Sequence, residues 1–481
     1  MEIMEIKEKI FREYDIRGVF GEDLTPGLAE LLGRAYAAYL REKTGKSPDQ
    51  TLKVSVGRDV RLSSGEIRDA LVKGLTKAGL DCVDLGECPT PLSYFSLHTL
   101  DLDGGIMITG SHNPPEYNGF KVSVGKETIH GAEIQELKEV MKGELPGPAE
   151  KSGSVETIDI ISKYVDYLTG KFSIGKDLKR PVKVALDAGN GTGGLVAPRL
   201  MRALGCEVVE LFCEPDGRFP NHHPDPTVEE NMQALVRVVK DEGCDFGVGY
   251  DGDSDRIGVV DERGTMVWGD QLMVIFAGDI LKKTPGATIV GEVKCSQTMY
   301  DGIERLGGEA VMWKTGHSLI KARMKELGAA MAGEMSGHIF FADRYFGFDD
   351  AVYATCRLAE IMAARLKEDP GAVFSDILKD LPKTFATPEI RVDCPDEEKF
   401  GVIEKLRGVV KDGTEDLPVK DVVTIDGLRV IFDEGWALVR ASNTQPVLVL
   451  RFEAGSEETV ERLKEFMREK LREVKPGVTI P

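Results

Sequence analysis

No apolar run in the 481 residues approaches the ~20 needed to cross a bilayer, so no transmembrane helix is expected. The opening stretch MEIMEIKEKIF is charged throughout and lacks the apolar core of a secretory signal, which points to a cytoplasmic protein. Basic residues are in deficit, with 61 Lys and Arg against 81 Asp and Glu and a formal charge of −20. That balance argues against a nucleic-acid binder or a membrane-surface protein, which usually carry basic stripes. The 8 cysteines form no C-x-x-C pair, so neither structural zinc nor a disulfide framework is expected. The familiar nucleotide loops are missing too: there is no G-x-x-x-x-G-K-[ST], and no G-x-G-x-x-G follows the first strand.

What remains is an acidic chain with the composition of a globular protein, 42% hydrophobic and 30% charged. Its length exceeds the ~250–300 residues at which one core stops growing, so several domains are expected. A strand–helix–glycine–strand unit recurs three times. It starts at Lys53–Gly57, at Val182–Asp187 and at Ala287–Gly291. In the first copy Ser63 and Glu66 read as a capping box opening a helix over 63–79. In the second, one helix is expected from about Gly194 to Leu204. A Pro/Gly/Ser-rich stretch at 144–154, the turn Glu262–Gly264 and the segment 382–395 mark the boundaries. The reading is three consecutive related α/β domains with mixed or parallel sheets (1–155, 156–263, 264–380). A C-terminal α+β domain (381–481) follows, built of four short strands and two helices, 397–411 and 456–473.

Five polar turns carry the chemistry. Thr109-Gly-Ser-His-Asn-Pro114 follows an apolar strand and presents Ser111 on a turn that His112, Asn113 and two prolines keep from becoming strand or helix. A serine placed there is expected to be exposed and held still, as a nucleophile must be. Asp251-Gly-Asp-Ser-Asp-Arg256 follows the strand Phe246–Tyr250, and its three carboxylates can share one place only around a hard cation. A calcium EF-hand loop would need glycine at its sixth position, where this chain has Arg256, and helices on both sides. Mg²⁺ with open positions for phosphate oxygens fits better. Three carboxylates and one Mg²⁺ sum to −1, and a phosphorylated serine adds roughly −1.5 to −2, so cations must stand close by. Arg256, Lys121 and Arg17 are placed for that. Gly333–His338 offers Glu334, Ser336 and His338 for sugar hydroxyls, and Lys314–Ser318 puts Lys314 and His317 on a turn. Arg440-Ala-Ser-Asn-Thr444, read as a turn between strands, makes a phosphate cradle of Arg440, Ser442, Asn443, Thr444 and free backbone N–H groups, with Arg451 on the next strand.

Taken together, FREYDIRG (11–18), TGSHNPPEYNGFK (109–121), DGDSDR (251–256), GEMSGH (333–338) and RASNT (440–444) resemble the α-D-phosphohexomutase family, in its order and at its spacing. The likeness is greatest to the bacterial phosphomannomutase/phosphoglucomutase branch. The phosphoglucosamine branch would read GEQSGH, with alanine where this chain has Gly110.

The resemblance implies four domains around a central cleft and reversible transfer of phosphate between the 1- and 6-positions of mannose or glucose phosphates. Ser111 would carry the phosphate, and Asp251, Asp253 and Asp255 would bind Mg²⁺ with the phosphoserine oxygen. Arg17, Lys121, Arg256 and His317 would surround the transferring group, with Lys121 and His317 as the acid/base candidates and their order left open. Glu334, Ser336 and His338, helped by Tyr14 and Lys294, would orient the sugar. Arg440, Ser442, Asn443, Thr444 and Arg451 would hold the phosphate that is not reacting. A hexose 1,6-bisphosphate would be the intermediate and activator, phosphorylated hexoses the only partners, and the protein a monomer, with a dimer left open. The rivals are a non-catalytic sugar-phosphate or metal binder, which has no need of Ser111, and a phosphatase, which the grip on the second phosphate disfavours. The fourth domain is expected to hinge on the others.

Overall fold

Strands such as Gly104–Ile108 and Phe246–Tyr250 are buried at every position, as expected where helices cover both faces of a parallel sheet. The computed structural model describes residues 6–47, 50–411, 413–443, 445–478 and 480. The chain divides into two compact units, Met1–Ile280 with Ser336–Lys379, and Leu281–Met335 with Asp380–Pro481.

The first unit holds two mixed sheets. One runs Ile16–Val19, Tyr117–Val124, Gly104–Ile108, Leu52–Arg58, Leu80–Glu87, Val155–Thr157, with its centre parallel. Tyr117–Val124 returns antiparallel to Gly104–Ile108, so the intervening turn, which holds Ser111, lies at the carboxyl end of a central strand. The other sheet repeats this plan. Glu207–Leu211 and Phe246–Tyr250 flank Lys183–Asp187 in parallel, and Ile257–Asp261 comes back antiparallel to Phe246–Tyr250. The Asp251–Arg256 turn is thus the counterpart of the Ser111 turn, one domain later.

The second unit contains a parallel layer, Glu309–Trp313, Thr288–Glu292, Met331–Gly333. It also contains an antiparallel sheet of six strands: Phe385–Ala386, Ile390–Asp393, Val447–Ala454, Gly435–Ala441, Leu428–Ile431 and Asp421–Val423. Helices Asp396–Val409 and Glu457–Val474 pack their apolar faces, including Leu406, Leu463 and Met467, on that sheet.

Three local readings need correction. Ser63 forms no capping bond, because its backbone is already helical and its hydroxyl accepts instead from the Asn118 amide at 2.9 Å. The helix expected from Gly194 is a short 3₁₀ turn, Thr192–Leu195, and then a helix, Ala197–Ala203. Gly194 lies so close to the Cys213 carbonyl that a Cβ there would sit 1.8 Å from its oxygen, and Pro198 restarts the helix beyond it. Arg440 lies within the strand Gly435–Ala441 rather than on a turn.

Candidate active site

Ser111 is buried, 3% exposed, contrary to the exposed nucleophile read from its turn. Closure comes from the Asp251 loop, packed so tightly that a Cβ on Gly252 would stand 2.5 Å from the Ser111 carbonyl oxygen. Ser111 adopts the left-handed conformation, φ 49°, which a residue with a Cβ seldom occupies. Its hydroxyl donates to Asp251 Oδ2 at 2.9 Å, and its N–H donates to Thr109 Oγ1 at 2.8 Å. Thr109 in turn donates to Asp253, as does Thr90.

Asp251, Asp253 and Asp255 are fully buried and offer oxygens within 4.8 Å of one another. They are not held together only by the need for a metal: the Lys121 ammonium stands 3.0 Å from Asp253 and also bonds Asp255. Burial opposes a charge on Lys121, yet the facing carboxylates hold its pKa well above the ordinary value. Asp251 is pushed well above the carboxylate range, first by burial and then by the charges of Asp253 and Asp255. Asp253 goes the other way. Burial works against its charge, but Lys121 and the Thr90 hydroxyl overcome that penalty.

Asp253 Oδ1 and Asp255 Oδ1 are buried without a hydrogen-bond donor among the described residues. Orphaned anionic oxygens beside a carboxylate driven toward protonation are what a hard divalent cation would relieve, so the residues fit Mg²⁺.

Arg256 donates from Nε to His338 Nε2 at 3.0 Å, which leaves the His338 Nδ1–H to face Asp349 at 2.9 Å. His338 therefore belongs beside the carboxylate cluster; its Nδ1 is 3.7 Å from Asp255. Arg17 donates to the Asn113 side chain at 2.6 Å and pairs with Asp15, which ties the 11–18 segment to the serine loop. Tyr14 and Ser336 are half-buried on bends or turns of the same unit. His112 Nδ1 lies 3.2 Å from the Ser111 hydroxyl. Burial first, then the Arg256 and Arg17 charges, lower its pKa well below the usual histidine value, so it is a poor base.

The second unit gathers the other residues. Lys294 ion-pairs with Glu389 at 3.2 Å and faces Glu292 at 3.5 Å. Glu334 Oε1 accepts from the Gly316 N–H at 2.6 Å, so the Glu334 carboxylate holds the backbone of the turn that leads into His317. His317 opens the helix His317–Leu327 rather than sitting in a free turn. Arg440 pairs with Asp426 at 3.0 Å, Arg451 bonds the Lys294 carbonyl, and the Ser442 oxygen accepts from the Gln445 N–H at 3.2 Å. Asn443 follows on the same loop, and Thr444 lies outside the described residues.

Sequence profiles of the phosphoglucomutase/phosphomannomutase family match in succession: alpha/beta/alpha domain I over residues 8–145, domain II over 162–264, domain III over 268–385, and the C-terminal domain over 389–470. The chain belongs to this family. A phosphomannomutase/phosphoglucomutase of Pseudomonas aeruginosa is 45% identical over 473 residues, 98% of this chain and 97% of the relative. A phosphoglucomutase of Neisseria gonorrhoeae is 44% identical, covering 95% of this chain and 96% of its own. The crystal structure of a phosphoglucomutase/phosphomannomutase family protein from Burkholderia thailandensis superposes with a TM-score of 0.90 at 42% identity, over 99% of this chain and 100% of that one.

Within the family's site, sequence reasoning missed the supporting residues: Thr90, Asp59, Arg61, Asp349, Glu292, Glu389 and Asp426. Each is an ordinary side chain with no motif around it; Thr90 reaches Asp253 across 163 residues, Glu389 reaches Lys294 across 95, and the others each have a partner closer in the chain. The doublet Asp349-Asp350 after an aromatic run was the one visible signal.

Proposed function

We infer that this phosphohexomutase moves phosphate reversibly between the 1- and 6-positions of mannose or glucose phosphates, through a phosphoserine at Ser111 and a hexose 1,6-bisphosphate. The observation that carries the reading is the Ser111 hydroxyl donating into a buried three-carboxylate wall with Lys121 between two of its members. Asp251, Asp253, Asp255 and a phosphoserine oxygen would hold Mg²⁺, which when bound neutralises the charge that builds on the transferring group.

The chain's own residues supply positioning and charge. Arg17, Lys121, Arg256 and His317 neutralise and orient the phosphoryl group. Lys121, its charge strengthened by the carboxylates, serves as an electrostatic anchor until substrate displaces those contacts, after which it and His317 handle the sugar hydroxyl's proton. Glu334, Ser336, His338, Tyr14 and Lys294 orient the sugar, and Arg440, Ser442, Asn443, Thr444 and Arg451 hold the distal phosphate. A grip on that phosphate lets the bisphosphate turn over without escaping. The same reading keeps the four segments 1–155, 156–263, 264–380 and 381–481 as functional domains around a cleft, a monomer acting on phosphorylated hexoses, and a cytoplasmic location.

Ser111→Ala should retain its melting temperature and lose turnover of glucose 1-phosphate in a coupled assay with Mg²⁺ and a trace of bisphosphate. Near-normal turnover would sink the mechanism. Comparing kcat/KM for mannose, glucose and glucosamine 1-phosphates then ranks the sugars.

A further inference from the structure

Arg61 spends all five of its N–H groups on the serine loop and its support. Nε donates to Asp59 Oδ2 at 3.0 Å. Nη1 donates to the carbonyls of Pro114 at 2.5 Å and Tyr117 at 2.9 Å. Nη2 donates to those of Ser111 at 2.8 Å and Asn113 at 2.5 Å. The side chain is wholly buried. A guanidinium carries five donors in a rigid fork, so no donor is idle and none is flexible.

Asp59 completes the mould. Its Oδ2 also accepts from the Gly110 N–H at 3.0 Å, while Oδ1 accepts from the Arg61 N–H at 3.0 Å and the Ser64 hydroxyl at 2.6 Å. Gly110 lies flat against the fork: a Cβ there would stand 2.5 Å from Arg61 Cζ and Nε. The guanidinium's other neighbour is the Phe219 ring, 5.1 Å away. These contacts surround the one residue of the turn with positive φ, Ser111, and a carbonyl of that residue is among the acceptors.

We propose that Arg61, fixed by Asp59, is a positioning residue that casts the phosphoserine loop and holds the Ser111 oxygen in line for phosphoryl transfer. The proposal rests on the mutase reading above. Arg61 touches neither the Ser111 hydroxyl nor the three carboxylates; it acts through the loop backbone. Phosphoryl transfer depends on alignment, and a misplacement of about 1 Å costs on the order of 10²-fold in rate. Lysine keeps the charge but has three donors on a flexible stem, which cannot span four carbonyls and Asp59. A Cβ at Gly110 would press directly on the fork, so with Arg61 held by Asp59 and four carbonyls the loop or the fork must shift to admit it.

The test pairs kinetics with backbone exchange on the full-length protein. Arg61→Lys should lower kcat by about 10²-fold with KM for glucose 1-phosphate within about twofold. Amides of Ser111, His112, Asn113, Glu116 and Tyr117 should exchange faster, while those of the Phe246–Tyr250 strand should not. Gly110→Ala, which keeps the arginine, should reproduce both changes, and the double variant should lose much less than the product of the two single losses. Full kcat and unchanged exchange in Gly110→Ala would overturn the proposal, and so would Arg61→Lys with wild-type kcat. If Arg61→Lys does not fold, Gly110→Ala decides alone. If wild-type protein shows no mutase turnover, the functional reading fails, while the exchange of those five loop amides still decides whether Arg61 holds the loop.

Discussion

His222 makes two contacts that only an imidazolium can satisfy. Its Nδ1 lies 2.9 Å from the His223 carbonyl oxygen and its Nε2 3.0 Å from Asp187, so both nitrogens face acceptors and both must donate. Burial disfavours that charge, but the Asp187 hydrogen bond and charge outweigh it and raise the pKa above 6.5. A raised histidine pKa gives stability that is fully present below the unfolded value and is lost as pH climbs through the folded one. The stability difference between wild type and His222→Gln, from urea unfolding, should therefore be largest below pH 6.5 and shrink at higher pH. A difference that stays constant with pH would show that the ring is neutral. At this scale the sequence was legible where residues are adjacent. Asp251, Asp253 and Asp255 converge as their alternation suggests, and Ser111 faces them. The burial of Ser111, the Lys121 bridge and the Asp349 partner of His338 were not legible. Each depends on a partner 11 to 140 residues away.

At the scale of elements, helices Pro26–Thr44 and Ser64–Lys77 meet at two glycines. A Cβ at Gly33 would lie 2.5 Å from the Leu71 carbonyl oxygen, and one at Gly74 2.2 Å from that of Glu30. Backbone oxygens cannot yield as flexible side chains do, so the helices would have to separate. Gly74→Ala gains ~1 kcal/mol of helix propensity but incurs overpacking of typically 1–3 kcal/mol, and a lower urea midpoint is expected. Gly65→Ala, in the same helix with open space around it, should leave the midpoint unchanged or raise it. Equal effects at the two positions would refute the packing argument. The strands and helices themselves were largely readable from periodicity; the two glycines that set their distance were not. Close backbone approach leaves no mark on a sequence without comparison of positions in space. The same limit explains the broken helix at Val196, where Gly194 meets Cys213.

Across the whole molecule, the charge of −20 opposes gathering three of its carboxylates, all buried, in one place. Lys121 offsets part of that repulsion, and a divalent cation would offset more. If the cluster binds Mg²⁺ in the folded state only, saturation to 100 times Kd stabilises by about 2.7 kcal/mol. The melting temperature should rise on adding Mg²⁺ and fall again with EDTA, and Asp253→Asn should blunt the shift. An identical shift in that variant would place the ion elsewhere. The second unit bears on the expected hinge. Leu281–Met335 packs in one compact body with Asp380–Pro481, and Arg429 donates from the C-terminal sheet to the carbonyls of Val293 and Cys295, both at 2.7 Å. The Lys294 loop and the Arg440 strand are therefore built into one body.

The sequence by itself determined the repeated α/β plan, the motif turns at strand ends and the kind of chemistry they can carry. Local propensity, hydrophobic period and the repulsion of neighbouring carboxylates are properties of short stretches of chain. Tertiary structure alone decided that Ser111 is enclosed, that Lys121 stands between Asp253 and Asp255, and that Arg61 reaches the serine loop from the connection after strand Leu52–Arg58. Those outcomes depend on which distant strands pair, because only pairing brings a buried donor within hydrogen-bond reach of an acceptor it does not neighbour in sequence.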